Sequence, residues 1–592
     1  MAPPANSVLS TTVALIGLQV ASRLFSFGLN QLLLRSTTPQ AFGLATIQFD
    51  TLIGTVLFLL REGLRGAVAR IRPSASPSSR LLFSQTLLLP TLLSPLATAA
   101  FALYHLLSTP SPSPPFFRTT LLLYFLSTLI ELIYEPLYLR TLQAWETLTP
   151  RRVKVEGLAT LGKAFATLAV VKAVRSEDAL LAFGVGQLVH SATIWAGLTR
   201  IIRSASTKEA KDDALQSASV FSLEKIAVER EGKEDGKATA KDERYFNPQV
   251  TRLGWALTKQ SFVKQLLTEG DKLAVGRFGS GEDMGGYAVA LNYGSLIARI
   301  VFQPLEESSR LYFSSLSSAT SPFPDAADTA RSTLPSPARK PSLPALLSLA
   351  THLRLLLLLH THLTLIFFLL APSYTTPLLH LLLGARWSLP AGPILRAYVL
   401  SLPIMGLNGS TEAFFQSLAS PAWIARGSSW MAVCAVAFAG ATAGLCGAAG
   451  LGARGLVGAN CVNLALRTGF STVFIRRYFG LALDAVPDEA ASAEVKGEKR
   501  AVRAQLAWKS WTPDVPTVVA FALAGWVVRA SEAGWTERAM GGKAEGRWEV
   551  VKATGRHVGV GAVAGIGCLL VVALTRRHEL KALLSSAKPK TA

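Results

Sequence analysis

Ionisable and amide side chains recur inside stretches of this chain that are otherwise apolar, and their spacing sorts them onto shared helix faces. Gln19, Arg23 and Asn30 lie four and seven residues apart, which at about 100° per residue forms one stripe. Tyr124, Glu131 and Glu135 repeat the pattern, as do Gln260, Lys264 and Asp271, and the longer series Asn292, Arg299, Gln303 and Glu306. Asn408 and Glu412 share a face, and Lys163 stands alone in its stretch. An ionisable group at bilayer depth costs about 2.5–3.5 kcal/mol on insertion scales, so stripes on five or more helices must face each other or a water-filled cavity. The expectation is a hydrated central cavity. Helix-to-helix pairing, for example Arg23 or Lys163 against Glu131 or Glu135, is the alternative use of the same residues. Guanidinium groups in such a cavity suit a phosphate-bearing substrate, because their planar fork donates paired hydrogen bonds. Arg61 and Arg65, one turn apart where an apolar stretch ends, could hold a diphosphate at the membrane surface or serve only as basic anchors.

The elements that would position these groups are transmembrane helices. Charged residues make up 16% of the 592 and apolar residues 50%, with a mean hydropathy of +0.35. A soluble domain carries about a quarter charged residues, so a soluble multi-domain enzyme is excluded. Windows of about 20 apolar residues fall near 9–34, 41–60, 81–107, 116–139, 153–174, 179–202, 254–276, 284–313, 344–371, 391–418, 422–446, 448–475, 513–530 and 557–575. The fold class expected is an all-α polytopic membrane protein, about fourteen spans in two lobes around a central cavity. The organisation expected is an N-terminal lobe over 1–203, a disordered cytosolic linker over 204–250, and a C-terminal lobe over 251–480. A cytosolic loop over 481–512 and two extra spans with a tail over 513–592 complete the chain. Residues 314–343 and 484–505 read as further loops.

The 59 Lys and Arg exceed the 38 Asp and Glu by 21, and position explains the excess. With the N-terminus cytosolic, the even-numbered gaps collect Arg61, Arg65, Arg70 and Arg72, then Arg151, Arg152 and Lys154, then Arg331, Arg339 and Lys340, then Arg476, Arg477, Lys496 and Lys499. The opposite gaps are sparse, apart from the mixed run at 531–556, so the basicity is topological and no nucleic-acid partner is expected. Both termini are expected in the cytosol. No basic residue precedes the first window and Arg23 interrupts it, so a cleaved signal peptide is not expected.

Several chemistries are missing. There is no phosphate-binding G-x-x-x-x-G-K-[ST] loop, no H-E-x-x-H and no G-x-S-x-G. Gly450-Leu-Gly452-Ala-Arg-Gly455 fits G-x-G-x-x-G, but it joins two apolar helices and follows no strand, so close helix packing at a tight turn is its reading. His360 and His362 have a weak metal spacing, and interhelical hydrogen bonding accounts for them better. The four cysteines sit in apolar stretches as small hydrophobes. No cofactor and no metal are expected. The sequon at Asn408 lies inside a span and should stay unmodified.

Two long stretches resemble a known family. LNQLLLR at 29–35, FGLATIQ at 42–48 and LFLLREGLRGAVAR at 57–70 resemble the N-terminal signature of the Rft oligosaccharide-translocation proteins of the endoplasmic reticulum. KQSFVKQLLTEGDK at 259–272 with NYGSLIARIVFQPLEESSR at 292–310 looks like that family's central signature. IELIYEP, NGSTEAF and GANCVN come in the family's order. The resemblance implies the two-lobed fold of the multidrug, oligosaccharidyl-lipid and polysaccharide exporter superfamily. It also implies handling of dolichol-diphosphate oligosaccharide, between the leaflets of the endoplasmic-reticulum membrane, for protein N-glycosylation. It carries over Arg61, Glu62 and Arg65 from the first signature, and Lys264, Glu269, Asp271, Asn292, Arg299, Gln303, Glu306 and Glu307 from the second. The tail Lys588-Pro-Lys590-Thr-Ala resembles a cytosolic dilysine retrieval signal.

The leading expectation is therefore a rocking carrier that flips the lipid-linked oligosaccharide. Arg23, Arg61, Arg65, Lys264 and Arg299 are its candidate diphosphate contacts. Asn30, Glu62, Glu131, Glu135, Glu269, Asp271, Asn292, Gln303, Glu306, Glu307, Asn408 and Glu412 are the polar groups expected to face the sugar. Membrane lipids are the other expected partner. Two alternatives use the same residues: a binding or assembly factor that does not itself flip the lipid, and an ion-coupled exporter of small solutes using Asp50, Glu131 or Asp271. A membrane glycosyltransferase would need acidic residues in a long first luminal loop. Here that loop is only about residues 35–41, so no enzyme is expected.

Overall fold

The computed structural model describes residues 28–29, 31–71, 76–108, 114–143, 145–208, 223, 225–229, 241–323, 341–486, 493–540 and 547–577. Most of the first expected span, with Arg23 and Asn30, lies outside the described residues. So do most of the 204–250 linker, the loop beyond 323 and the tail from 578.

From the second span onward every expected window falls on helix. In the N-terminal unit these are α1 (Pro39–Arg70), α2 (Pro77–Thr86), α3 (Ser94–Ser108), α4 (Phe117–Gln143), α5 (Trp145–Ala173), α6 (Ala179–Lys208) and α7 (Pro248–Phe278). In the C-terminal unit they are α8 (Gly281–Ile297), α9 (Gln303–Thr320), α10 (Leu343–Leu365), α11 (Thr375–Leu383), α12 (Ala385–Leu418), α13 (Pro421–Thr442), α14 (Gly452–Asp484), α15 (Ala493–Leu506), α16 (Val515–Ala539) and α17 (Arg547–Thr575). This is an all-helical, multi-span membrane protein. Eight helical segments among the described residues are long and apolar enough by themselves to cross a membrane. Helices α5, α7, α8 with α9, and α14 are not among them, because charged and amide residues within them, such as Lys163 in α5 and Asn460, Asn463 and Arg467 in α14, dilute their hydropathy.

The starts and interruptions have local causes. Thr38 caps α1 by accepting from the Ala41 amide, with Pro39 at the first helical position. Ser280 and Asp283 form a reciprocal capping box on α8. Pro136 inside α4 removes the amide that would bond the Leu132 carbonyl, and the Thr91 hydroxyl donates to that carbonyl at 2.7 Å instead. The window at 81–107 is broken at Leu87–Leu93, around Pro90. A π-helical turn at Leu44–Phe49 precedes Asp50, and another at Ala298–Phe302 separates α8 from α9.

Two compact units result, Met1–Arg277 and Phe278–Ala592. Helix α7 therefore packs with the N-terminal unit, where Val250, Leu253 and Leu257 join a core with Leu64, Ala67 and Val68 of α1. A Cβ on Gly63 would fall within 2.8 Å of the Thr258 amide, so only glycine lets α1 and α7 approach this closely. Composition predicts no order in the linker, yet β1 (Ile226–Glu229) pairs antiparallel with β2 (Lys241–Arg244). The Asn247 amide, donating to Thr86 at 2.8 Å, ties that segment to α2.

In the C-terminal unit a core of Phe313, Leu346, Leu349, Phe414, Phe474 and Tyr478 joins α9, α10, α12 and α14. The expected loop at 484–505 is corrected from 493 on, since α15 is a helix. Val495, Val502 and Leu506, seven and four residues apart, form the apolar stripe that packs against this core. Helices α16 and α17 pack on each other and on Leu365–Tyr374.

Candidate functional site

Helix α1 presents Asp50, Arg61 and Arg65 on one side, because eleven residues make about three turns and four make about one. Helix α4 presents Glu131 and Glu135 one turn apart, and the two ladders meet. Arg61 Nη1 donates to Glu131 Oε2 at 3.0 Å and stands 3.6 Å from Glu135 Oε2. Arg65 holds Glu135 with both edges of its fork, Nε to Oε1 at 2.5 Å and Nη2 to Oε2 at 2.7 Å. The Arg65 guanidinium also lies 3.9 Å above the Tyr138 ring.

The circuit continues through two more helices. Gln187 Nε2 and Ser191 Oγ of α6 donate to Glu131 Oε1 at 3.3 and 3.0 Å. Lys163 of α5 donates to Gln187 Oε1 at 2.7 Å and stands 3.5 Å from Asp50 Oδ1, which also accepts from Tyr124 at 3.0 Å. Asp50, Lys163, Gln187, Glu131 and Arg61 thus return the circuit to α1. With Arg65 and Glu135 it holds three cations and three anions, 3 − 3 = 0. Glu135 is wholly buried and Glu131 is 4% exposed. At the opposite edge the Asp50 and Lys163 side chains are 38% and 31% exposed, although both sit well inside their helices.

Sequence periodicity found the glutamate pair but not its partners. The pairing of Lys163 with Glu131 or Glu135 is corrected: the glutamates bind Arg61 and Arg65, and Lys163 binds Gln187 and Asp50. Gln187 and Ser191 escaped notice because a lone amide and a serine in an apolar helix carry no periodic signal. Glu62, about 100° round the helix from Arg61, takes no part in the circuit.

The remaining candidates are dispersed. Lys264 lies on α7, but its side chain, like Arg23 and Asn30, is outside the described residues. Glu269 pairs locally with Lys272 at 2.7 Å, and Asp271 Oδ1 accepts the Lys272 amide. In the C-terminal unit the series Asn292, Arg299, Gln303 and Glu306 is corrected as a straight stripe. The π turn at Ala298–Phe302 inserts an extra residue, which rotates the residues after it by about 100°. Asn292 is half-buried, Arg299 folds back on Ser295 at 2.7 Å, Gln303 donates to Glu307 at 3.2 Å, and Glu306 pairs with Arg310 at 2.7 Å.

Asn408 and Glu412 do share a face. Asn408 Nδ2 donates to Glu412 Oε2 at 3.1 Å, and the same oxygen takes Arg467 Nη2 of α14 at 2.6 Å. Arg467 was missed, although Asn463 and Asn460 of its own helix precede it by four and seven residues and so share its face. Gly450 and Gly452 have φ of 63° and 52°, and a Cβ on Gly455 would lie 2.8 Å from the Leu445 backbone, so the G-x-G-x-x-G string is a tight turn with close packing. Among the described residues no cluster of His, Cys, Asp or Glu could hold a metal.

Known proteins share this sequence pattern and this fold. The family model described as Rft protein matches residues 7–586. Among curated relatives, the "Man(5)GlcNAc(2)-PP-dolichol translocation protein RFT1" of Yarrowia lipolytica is 30% identical over 78% of this chain and 69% of its own length. The Schizosaccharomyces pombe protein of that name is 30% identical over 77% of this chain and 80% of its own, and the Mus musculus one 29% over 78% and 80%. Among solved structures, lipid II flippase MurJ in an inward closed conformation aligns with a TM-score of 0.50 at 11% identity. The alignment covers 95% of this chain and 99% of that one, a likeness of fold.

Proposed function

The chain belongs to the Rft protein family, a family of translocation proteins rather than enzymes, and on that premise we propose that it moves dolichol-diphosphate oligosaccharide from the cytosolic to the luminal leaflet. The membrane is that of the endoplasmic reticulum, with both termini cytosolic, and the product feeds protein N-glycosylation. The observation that carries the reading is the circuit on α1, α4, α5 and α6. Its two glutamates are sealed inside, while Asp50 and Lys163, well inside their helices, and the outer edges of Arg61 and Arg65, nearer the end of α1, stay accessible. Groups of that polarity at that depth suit a wet surface for a sugar and diphosphate head group, with the polyprenyl chain left in lipid.

Purified protein in liposomes tests this. Labelled dolichol-diphosphate oligosaccharide starts in both leaflets, and an impermeant reagent reports how much reaches the outer one. Accessibility should rise from about half toward completion only in vesicles that carry the protein, and Asp50→Asn with Lys163→Gln should slow it about tenfold.

One observation favours a second reading, a lipid-holding or assembly factor: Arg61 and Arg65 already have carboxylate partners and need no phosphate. Tight binding of the lipid without any exchange between leaflets would establish that reading and end the first. An ion-coupled exporter draws less support, because Glu131 is committed to Arg61, Gln187 and Ser191.

A further inference from the structure

Arg476 near the end of α14 and Arg503 near the end of α15 have no part in the reading above, and they line one cavity. It encloses about 480 Å³ within the C-terminal unit, between α10, α12, α14 and α15. Its inner wall is hydrocarbon, formed by Leu353, Leu357, Ile475, Phe479 and Leu483. Thr361, Thr364, Thr411 and Thr472 add a scattering of hydroxyls.

The roof is the segment from Gln505 to Trp511, and it is pinned. Arg354 donates from Nε to the Ser510 carbonyl at 3.1 Å and from Nη1 to Gln505 Oε1 at 3.2 Å, and the Thr361 hydroxyl donates to the Trp511 carbonyl at 2.8 Å. Arg354 is therefore spent on holding the roof. Arg476 and Arg503 are exposed and make neither an ion pair nor a hydrogen bond among the described residues.

The depth of the site is set by α15, an amphipathic helix with Lys496, Lys499, Arg500 and Arg503 and an apolar stripe turned to the core. Trp508 and Trp511 come directly after it. Basic amphipathic helices next to tryptophans lie at the membrane–water boundary, where lipid phosphates sit. Two guanidiniums with no partner among the described residues, at that level and above an apolar slot, match the polarity of an amphiphile rather than of a soluble solute.

We propose that this cavity binds an anionic amphiphile, its phosphate held between Arg476 and Arg503 and its hydrocarbon chain lying along Leu357, Ile475 and Phe479. The site belongs to the C-terminal unit alone and does not depend on whether the chain translocates lipid.

The test uses the full chain in nanodiscs of neutral phosphatidylcholine, with Trp511 as the reporter. There are 11 tryptophans, so the signal is the quenching lost in Trp511→Phe. Phosphatidate with brominated chains should quench Trp511 at a mole fraction about tenfold lower than brominated phosphatidylcholine. Arg476→Gln with Arg503→Gln should abolish that preference, and the double Lys variant should keep most of it, which separates charge from folding. Equal quenching by the neutral lipid, or a preference that survives the double Gln variant, would overturn the proposal. Competition then names the source of the phosphate. Displacement by unlabelled polyprenyl diphosphate at a lower mole fraction than by unlabelled phosphatidate identifies a lipid-linked diphosphate, and the reverse order identifies a lipid of the bilayer itself.

Discussion

Among single residues, the same circuit holds two kinds of ion pair that should respond differently to mutation. Glu135 is wholly buried and neutralises Arg65 with help to Arg61. Removing its charge strands a guanidinium, which costs about 3–5 kcal/mol for a buried pair, whereas replacing both partners with apolar residues is close to neutral. Glu135→Gln should therefore lower the thermal unfolding midpoint in detergent clearly, and Arg65→Leu with Glu135→Leu should recover most of the loss. An unchanged midpoint in the single variant would remove the structural role. Asp50 and Lys163 are about a third exposed, so breaking their pair should cost under about 1 kcal/mol. Lys163→Gln should leave the midpoint nearly unmoved while lowering lipid movement in vesicles; a loss of stability matching that of Glu135→Gln would contradict the distinction. Four-residue spacing made Glu131 with Glu135, and Asn408 with Glu412, legible from the sequence. It was silent on who faces them, since Arg61 and Glu131 are 70 positions apart and a period describes only one helix.

Between elements, small groups at crossings decide which helices touch. The Thr91 hydroxyl fills the hydrogen bond that Pro136 deletes from α4, beside the buried glutamates. Thr91→Val keeps the shape and leaves the Leu132 carbonyl unpaired, at a cost of about 1–3 kcal/mol. The check is a lower unfolding midpoint for Thr91→Val than for Thr91→Ser, which retains the hydroxyl. Gly63 sets the contact of α1 with α7, and a Cβ there would press on the backbone of Thr258 and Gly254. Gly63→Ala should destabilise by about 1–3 kcal/mol, measured the same way, while Gly54→Ala, with nothing within 4 Å, should not. Windows of hydropathy located the helices because burial in lipid demands apolar runs whatever the packing. They did not reveal the π turns, which depend on one inserted residue. Nor did they reveal α15, whose apolar stripe of three residues is too thin to raise a window average.

Over the whole molecule, the excess charge of 21 is arranged along the chain rather than pooled in one patch. About fourteen spans would place both ends on one face of the membrane, by the bias of Lys and Arg. Reporters fused to the two ends should be modified from the same side, and reporters on opposite faces would remove one span from the count. The last two helices belong to the C-terminal unit. Arg396 holds Glu532 at 2.7 Å, and His557 Nε2 meets the Ser373 carbonyl at 3.1 Å. Deleting residues 513–592 should lower the stability of the remainder, since it removes the Arg396–Glu532 pair and uncovers Leu369 and Tyr374. A truncated chain unfolding at the same temperature would show these helices to be appended rather than integral.

The order of residues was enough to establish a polytopic helical membrane protein of the Rft family, to place its apolar helices from the second span onward, and to show that polar groups lie among them. Those properties rest on local hydropathy, on residue spacing, and on long motifs kept in order. Which polar groups meet was settled by the packed helices alone. Arg61 and Arg65 close on Glu131 and Glu135, Lys163 turns to Asp50 and Gln187, and Arg476 and Arg503 are left facing a cavity. Such choices depend on the rotation and crossing of helices far apart in the chain. The physical quantity that selects among them, the cost of leaving a buried charge unpaired, exists only once the helices are packed.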